Sequence, residues 1–330
     1  MRKNGIATLS CLLLCLCLAP AAYAQELVAG GQVVGIQIQT DGIIVAGLAP
    51  VETAEGSRSP AYEAGLKQGD LITELGGRSL DGAGDLIAAV SELAGAPAEL
   101  TVERQGRSLR LTVQPALSSE NQWRLGLWLR DRIEGIGTLT FYDPATGLFG
   151  ALGHSVSDLD SGVSAPMRRG AITQAEVLNV KPGAAGAPGE LDGCADTAQE
   201  LGALEANTEH GIFGHSCVPL GGRTVELGQP QPGPASILAT VSGRQSAEYE
   251  VRIDRLYRDS DGLHLTLSVT DPALLRRTGG IVQGMSGSPI LQNGCLVGAV
   301  THVFVNQPAR GYGISIQDML LSANSMELAA

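Results

Sequence analysis

Short apolar runs separated by Gly, Pro and Asp recur along most of the 330-residue chain, and several alternate apolar with polar positions as half-buried strands do. Val-Val-Gly-Ile-Gln-Ile-Gln from Val33 is one such strand, and Gly42-Ile-Ile-Val-Ala-Gly-Leu48 reads as a second. Pro60 suits the first turn of a short helix through Ala64. Asp81 to Ala94 sets Leu86, Ile87, Val90 and Leu93 on one helical face. Strands at 98–104 and 108–113 follow, and the polar stretch 116–122 reads as a linker. Beyond Trp123 no long helical periodicity returns until the C-terminus, so this part is expected to be all-β. Within it, Gly137–Tyr142 and Leu148–Gly153 flank the turn Asp143-Pro-Ala-Thr-Gly147, and two apolar runs flank Asn293-Gly294, the strongest short hairpin signal.

Composition agrees with a mainly β chain of two folded units, at 44 Gly, 17% charged and 4% aromatic residues. A net charge of −12 and a pI near 4.9 argue against a nucleic-acid partner or a polybasic membrane-surface protein. Arg2 and Lys3 precede an apolar run from Ile6 to Leu18 and the small-residue pattern Ala22-Tyr23-Ala24. Residues 1–24 therefore read as a signal peptide or an N-terminal membrane anchor, and the bulk of the chain as exported. Cys11, Cys15 and Cys17 fall inside that leader; Cys194, Cys217 and Cys295 remain, an odd number that implies no disulfide framework. Cys217 with His210 and His215 fits no standard zinc spacing, and no metal or cofactor is expected.

Candidate chemistry concentrates in Gly284-Met-Ser-Gly-Ser-Pro289. A serine between glycines lets a carbonyl approach, and successive backbone N–H groups can face the oxygen as charge develops. Ser286 is the candidate nucleophile; the alternative is a Gly/Ser turn without chemistry. The hairpin that follows at once makes the segment similar to the nucleophile segment of chymotrypsin-like serine peptidases. A base is then needed, and His154, at the end of an expected strand, is set for it. His210 and His215, bracketing Gly-Ile-Phe-Gly, compete. His264 alternates with Leu263, Leu265 and Leu267 and is expected to face away from the core, and His302 on the strand beyond the hairpin suggests structure.

Two resemblances go further. Ser59-Pro-Ala-x-x-Ala-Gly-Leu-x-x-Gly-Asp-Leu-Ile72 resembles the most recognisable run of PDZ domains, implying such a domain over 27–115 that binds extended peptides or protein tails. Its peptide-binding loop would be Val34-Gly35-Ile36, which departs from the usual form. The runs Gly150–His154, Lys181–Glu190, Gly211–Gly214, Thr278–Ile290, Gly298–Asn306 and Gly311–Gly313 resemble the SpoIVB peptidases of endospore formers. That resemblance implies a chymotrypsin-like double β-barrel over 123–322 and secretion into the space between the two sporulation membranes. The family cleaves itself and a membrane-anchored regulatory protein, releasing an intramembrane protease that processes a sigma-factor precursor; the chain's own N-terminal segment and that protein are the implied partners. By motif the triad is His154, Asp271 and Ser286, with Gly284 and Ser286 forming the oxyanion hole and Asp158 or Asp143 as other candidates for the acid. Thr278–Gln283, before the nucleophile, bring no charge to a primary pocket. A catalytically silent PDZ adaptor and a general exported quality-control protease are the alternatives.

Overall fold

One strand, β1 (Val33–Leu48), runs sixteen residues through two separate cores. The structure, a computed structural model, describes residues 26–158, 162 and 164–327, so the expected leader lies outside the described residues. The two strands read around Asp41-Gly42 are this one strand, which bends there: Gly42 takes φ +116, and a Cβ on it would lie 2.9 Å from Leu71 Cγ. Val34, Ile36 and Ile38 of the first half are buried with Leu139, Phe149 and Ile172. Ile43 and Val45 of the second half join a different core with Ile72, Leu86, Val90, Leu100 and Val102.

That second core is the PDZ-like unit. It holds α1 (Pro60–Glu63), β2 (Leu71–Leu75), α2 (Ala83–Glu92), β3 (Ala98–Arg104) and β4 (Arg107–Val113). β2 pairs with β1 through Ile43↔Ile72 and with β3, and β3 forms a hairpin with β4. The buried Asp70 carboxylate takes both arms of Arg104, at 2.6 and 2.7 Å, and the Lys67 N–H at 2.8 Å. A paired and hydrogen-bonded buried charge of this kind fixes the turn before β2.

β5 (Leu127–Tyr142) then returns antiparallel along β1, from Leu127↔Leu48 to Thr138↔Val33. The PDZ-like unit is thus an excursion made between the strands of a long hairpin. This corrects the tandem boundaries expected from sequence. Residues 33–40, assigned to a PDZ domain at 27–115, belong to a barrel. Trp123, Leu125, Leu127 and Leu129, assigned to the peptidase, pack in the PDZ-like core. The expected linker 116–122 is a hairpin, with Ala116–Leu117 paired to Trp123–Arg124 and the Ser118 N–H donating to Gln122 O at 2.8 Å.

The first barrel continues with β6 (Leu148–Ala151), β7 (Met167–Lys181), β8 (Glu190–Thr208) and β9 (Gly211–Ser216). The pairing order is β1-β5-β6-β9-β8-β7, and the β7 to β1 ladder closes the ring. β10 (Gly233–Ala239), β11 (Ala247–Arg258), β12 (Leu263–Val269), β13 (Pro289–Gln292), β14 (Cys295–Phe304) and β15 (Gln307–Ser315) form the second barrel, closed in the order β10-β11-β12-β15-β14-β13. α3 (Pro272–Thr278) sits between β12 and β13 in the chain, and α4 (Ile316–Glu327) buries Ile316, Met319 and Ala323 against Phe141 and Phe213 of the first barrel and Leu291 of the second. A mainly β chain with an early PDZ-like unit and two barrels is the fold class the sequence implied.

Candidate active site

The barrels meet where the turn Gly284–Ser288 enters β13. Gly287 has φ +94, and a Cβ on it would fall 2.1 Å from Thr138 O of β5 and 2.5 Å from Leu152 N beyond β6. No side chain fits there, so the glycine after Ser286 is what allows the second barrel's turn to press on the first. From the other side, Gly153 (φ +71) lies under Thr301, Ile314 and Ala299, with its added Cβ 3.1 Å from Thr301 Cγ2. His154 and Ser286 are each one residue from such a contact.

The turn is held as an oxyanion hole requires. The Gln283 carbonyl accepts from the Leu191 N–H at 2.9 Å and the Met285 carbonyl from the Ser288 N–H at 3.0 Å. In a trans peptide the N–H points opposite to the C=O, so the Gly284 and Ser286 N–H groups are turned away from these partners, and neither has an acceptor among the described residues. β5 fixes the turn's other carbonyls: Thr138 Oγ1 donates to Gly284 O at 2.8 Å, the Thr138 N–H to Ser286 O at 3.0 Å, and Thr140 Oγ1 to Gly287 O at 2.7 Å. The sequence reading missed these two threonines; their signal is a hydroxyl at alternate positions of an otherwise apolar strand.

The resting Ser286 hydroxyl donates to Thr301 O at 2.5 Å. His154 Nδ1 lies 2.8 Å from Ser155 O, and a carbonyl can only accept, so the ring proton is on Nδ1 and Nε2 keeps its lone pair. Burial, opposed by the Ser155 hydrogen bond and aided by neighbouring His302, pushes the His154 pKa down to about 4. The imidazole is a neutral base at physiological pH.

His302, expected to have a structural role, neighbours His154. Its ring lies against that of His154, centroids 4.5 Å apart and planes 33° apart. The other histidines have structural partners: His210 bridges Ser322 Oγ and Asp261 O, His215 pairs with Glu205, and His264 pairs with Asp259 and stacks on Tyr257.

The structure does not bring the expected acid, Asp271, to His154. Asp271 is the N-cap of α3, and its carboxylate accepts from the Ala273 and Leu274 N–H groups at 2.8 and 3.0 Å and from Glu250 N–H at 3.4 Å. These bonds, with Leu274 foremost, hold it below the usual carboxylate range. The Asp-Pro pair that starts this helix is the ordinary cap signal. Asp158 is buried and accepts from Arg130 at 2.5 Å, and Asp143 accepts from the Ala145 N–H in its own turn. Among the described residues no carboxylate contacts His154.

Val34-Gly35-Ile36 is paired on both edges, to Gly135–Gly137 of β5 and to Ile172–Gln174 of β7, so no peptide can add there. A cleft of about 870 Å³ lies instead between α2 and the first residues of β5, lined by Leu86, Ile87, Val90 and Trp123 to Leu129. Ile87 and Trp128 are exposed in it, and α2 is tied to β5 by the Ala83 N–H donating to Asp131 at 2.8 Å.

Among solved structures the chain is similar to the Rv3671c protease of M. tuberculosis in its active form (14% identity, 59% of this chain and 74% of that one, TM-score 0.34). It is similar to the HtrA-type protease AlgW with a decapeptide (13%, 62% and 54%, TM-score 0.36) and to the PDZ domain of an SdrC-like protein from Listeria monocytogenes (20%, 28% and 93%, TM-score 0.23). No curated protein matches the chain. Residues 53–104 match the PDZ domain family. Residues 121–320, more than half of the chain, match the SpoIVB peptidase S55 family, and the chain belongs to that family as a serine peptidase with a PDZ domain.

Proposed function

We propose that Ser286 and His154 carry out peptide-bond hydrolysis. The carrying observation is the turn at 284–288, its two N–H groups aimed away from every internal partner while β5 and β8 hold its carbonyls. The Ser286 hydroxyl leaves Thr301 O and gives its proton to His154 Nε2 as Oγ bonds the substrate carbonyl carbon. The carbonyl oxygen becomes an oxyanion between the Gly284 and Ser286 N–H groups. His154 then passes the proton to the leaving amine as the C–N bond breaks, and water repeats the cycle on the acyl-serine.

Two finer readings accompany this. The cleft between α2 and β5 takes an extended peptide as an added strand, its apolar side chains against Ile87 and Trp128. The biological reaction is sporulation signalling: the exported enzyme cleaves itself and a membrane-anchored regulatory protein, which triggers intramembrane processing of a sigma-factor precursor. Family membership supports this, together with the basic, apolar and small-residue order of residues 2–24.

Purified residues 25–330 should label with a fluorophosphonate and fragment on storage, and Ser286→Ala should do neither. Equal inertness of both proteins would instead make the chain a silent PDZ adaptor.

A further inference from the structure

β14 and β15 fall out of step at one place. Val300 faces Gly313 and Val303 faces Gly311, so β14 advances three residues while β15 advances two. Thr301 and His302 occupy this bulge. A bulge re-aims side chains that regular alternation would send elsewhere. Here it turns the Thr301 carbonyl onto the Ser286 hydroxyl and the His302 ring onto His154. Strand alternation alone would have made His302 an ordinary strand residue, which is how the sequence reads it.

From this geometry we propose that His302 is a positioning residue for catalysis, its ring face holding the His154 imidazole in place for proton transfer from Ser286. The proposal rests on the Ser286 and His154 reading above. No carboxylate among the described residues contacts the His154 ring, so its orientation rests on its other partners. The Ser155 carbonyl holds Nδ1 in the ring plane while His302 covers a face, so two directions of ring motion are blocked. His302 must itself be neutral, since two like charges at this distance repel. Burial lowers its pKa and favours that form. The titratable group that the His302 ring faces is His154 itself, and the Ser286 hydroxyl sits on the adjoining Thr301 O.

The test compares the parent with His302→Ala and His302→Phe, following the rate of fluorophosphonate labelling against pH and the melting temperature. His302→Ala should label about 100-fold more slowly, the cost of a misplaced catalytic group, while melting within a few degrees of the parent. His302→Phe restores a flat face and should recover most of the rate. Because His302 depresses the His154 pKa, the acid limb of the parent, expected near pH 4 where His154 is protonated, should move to higher pH in both variants. Parent-like labelling by His302→Ala, or a Phe variant as slow as Ala, would overturn the proposal. A parent that never labels would instead overturn the underlying reading of Ser286 and His154.

Discussion

The acidic residue that the family pattern pairs with His154 has another task in this molecule. Asp271 starts α3, and Asn is as good an N-cap as Asp while Ala is not. Asp271→Asn should therefore keep fluorophosphonate labelling within a few-fold of the parent, and Asp271→Ala should lose about 1 kcal/mol of stability in denaturant melts. A loss near 10,000-fold for Asp271→Asn, the size seen when a triad acid is neutralised, would put the carboxylate back at the histidine. Single residues also show what was legible beforehand. Ser286 and His154 could be singled out because small glycines flank them, and two of those glycines, Gly153 and Gly287, lie where the barrels press together. His302 could not, because a one-residue bulge leaves no mark in an apolar strand such as Cys295–Phe304.

Strands are where the sequence misled most. Gly42 after Asp41 has the look of a turn between two strands, whereas in the fold the glycine serves a bend that lets one strand cross from a barrel into a PDZ-like core. The apolar alternation is correct on both sides of it; what the pattern lacks is any record of which core each half enters. Gly35 offers a direct check, since an added Cβ would lie 2.4 Å from Thr173 Oγ1 and 2.5 Å from Ala195 Cβ. Gly35→Ala should destabilise the barrel by about 1–3 kcal/mol through overpacking. Peptide binding to the proposed α2–β5 cleft, followed by tryptophan emission, should be unaffected, because that cleft lies elsewhere. Unchanged stability with lost peptide response would return the binding loop to 34–36.

At the scale of the whole molecule, nested order replaces the tandem order suggested by the sequence. Excising Ile43–Leu129 leaves Asp41-Gly42 as a turn close to Gln39 and Arg132, which face each other across the hairpin. The shortened chain should fold and label at Ser286. A chain starting at residue 116 keeps all of β5 to β15 but loses β1, opening the first barrel, and it should neither fold cooperatively nor label. The reverse result would restore two independent units in series. The nesting also governs how the chain assembles. During synthesis β1 emerges long before β5, and bringing two distant segments together costs entropy that grows with the length between them. A small folded unit whose ends lie in adjacent strands lowers that cost, acting as a clasp that holds the barrel's opening strand beside its neighbour.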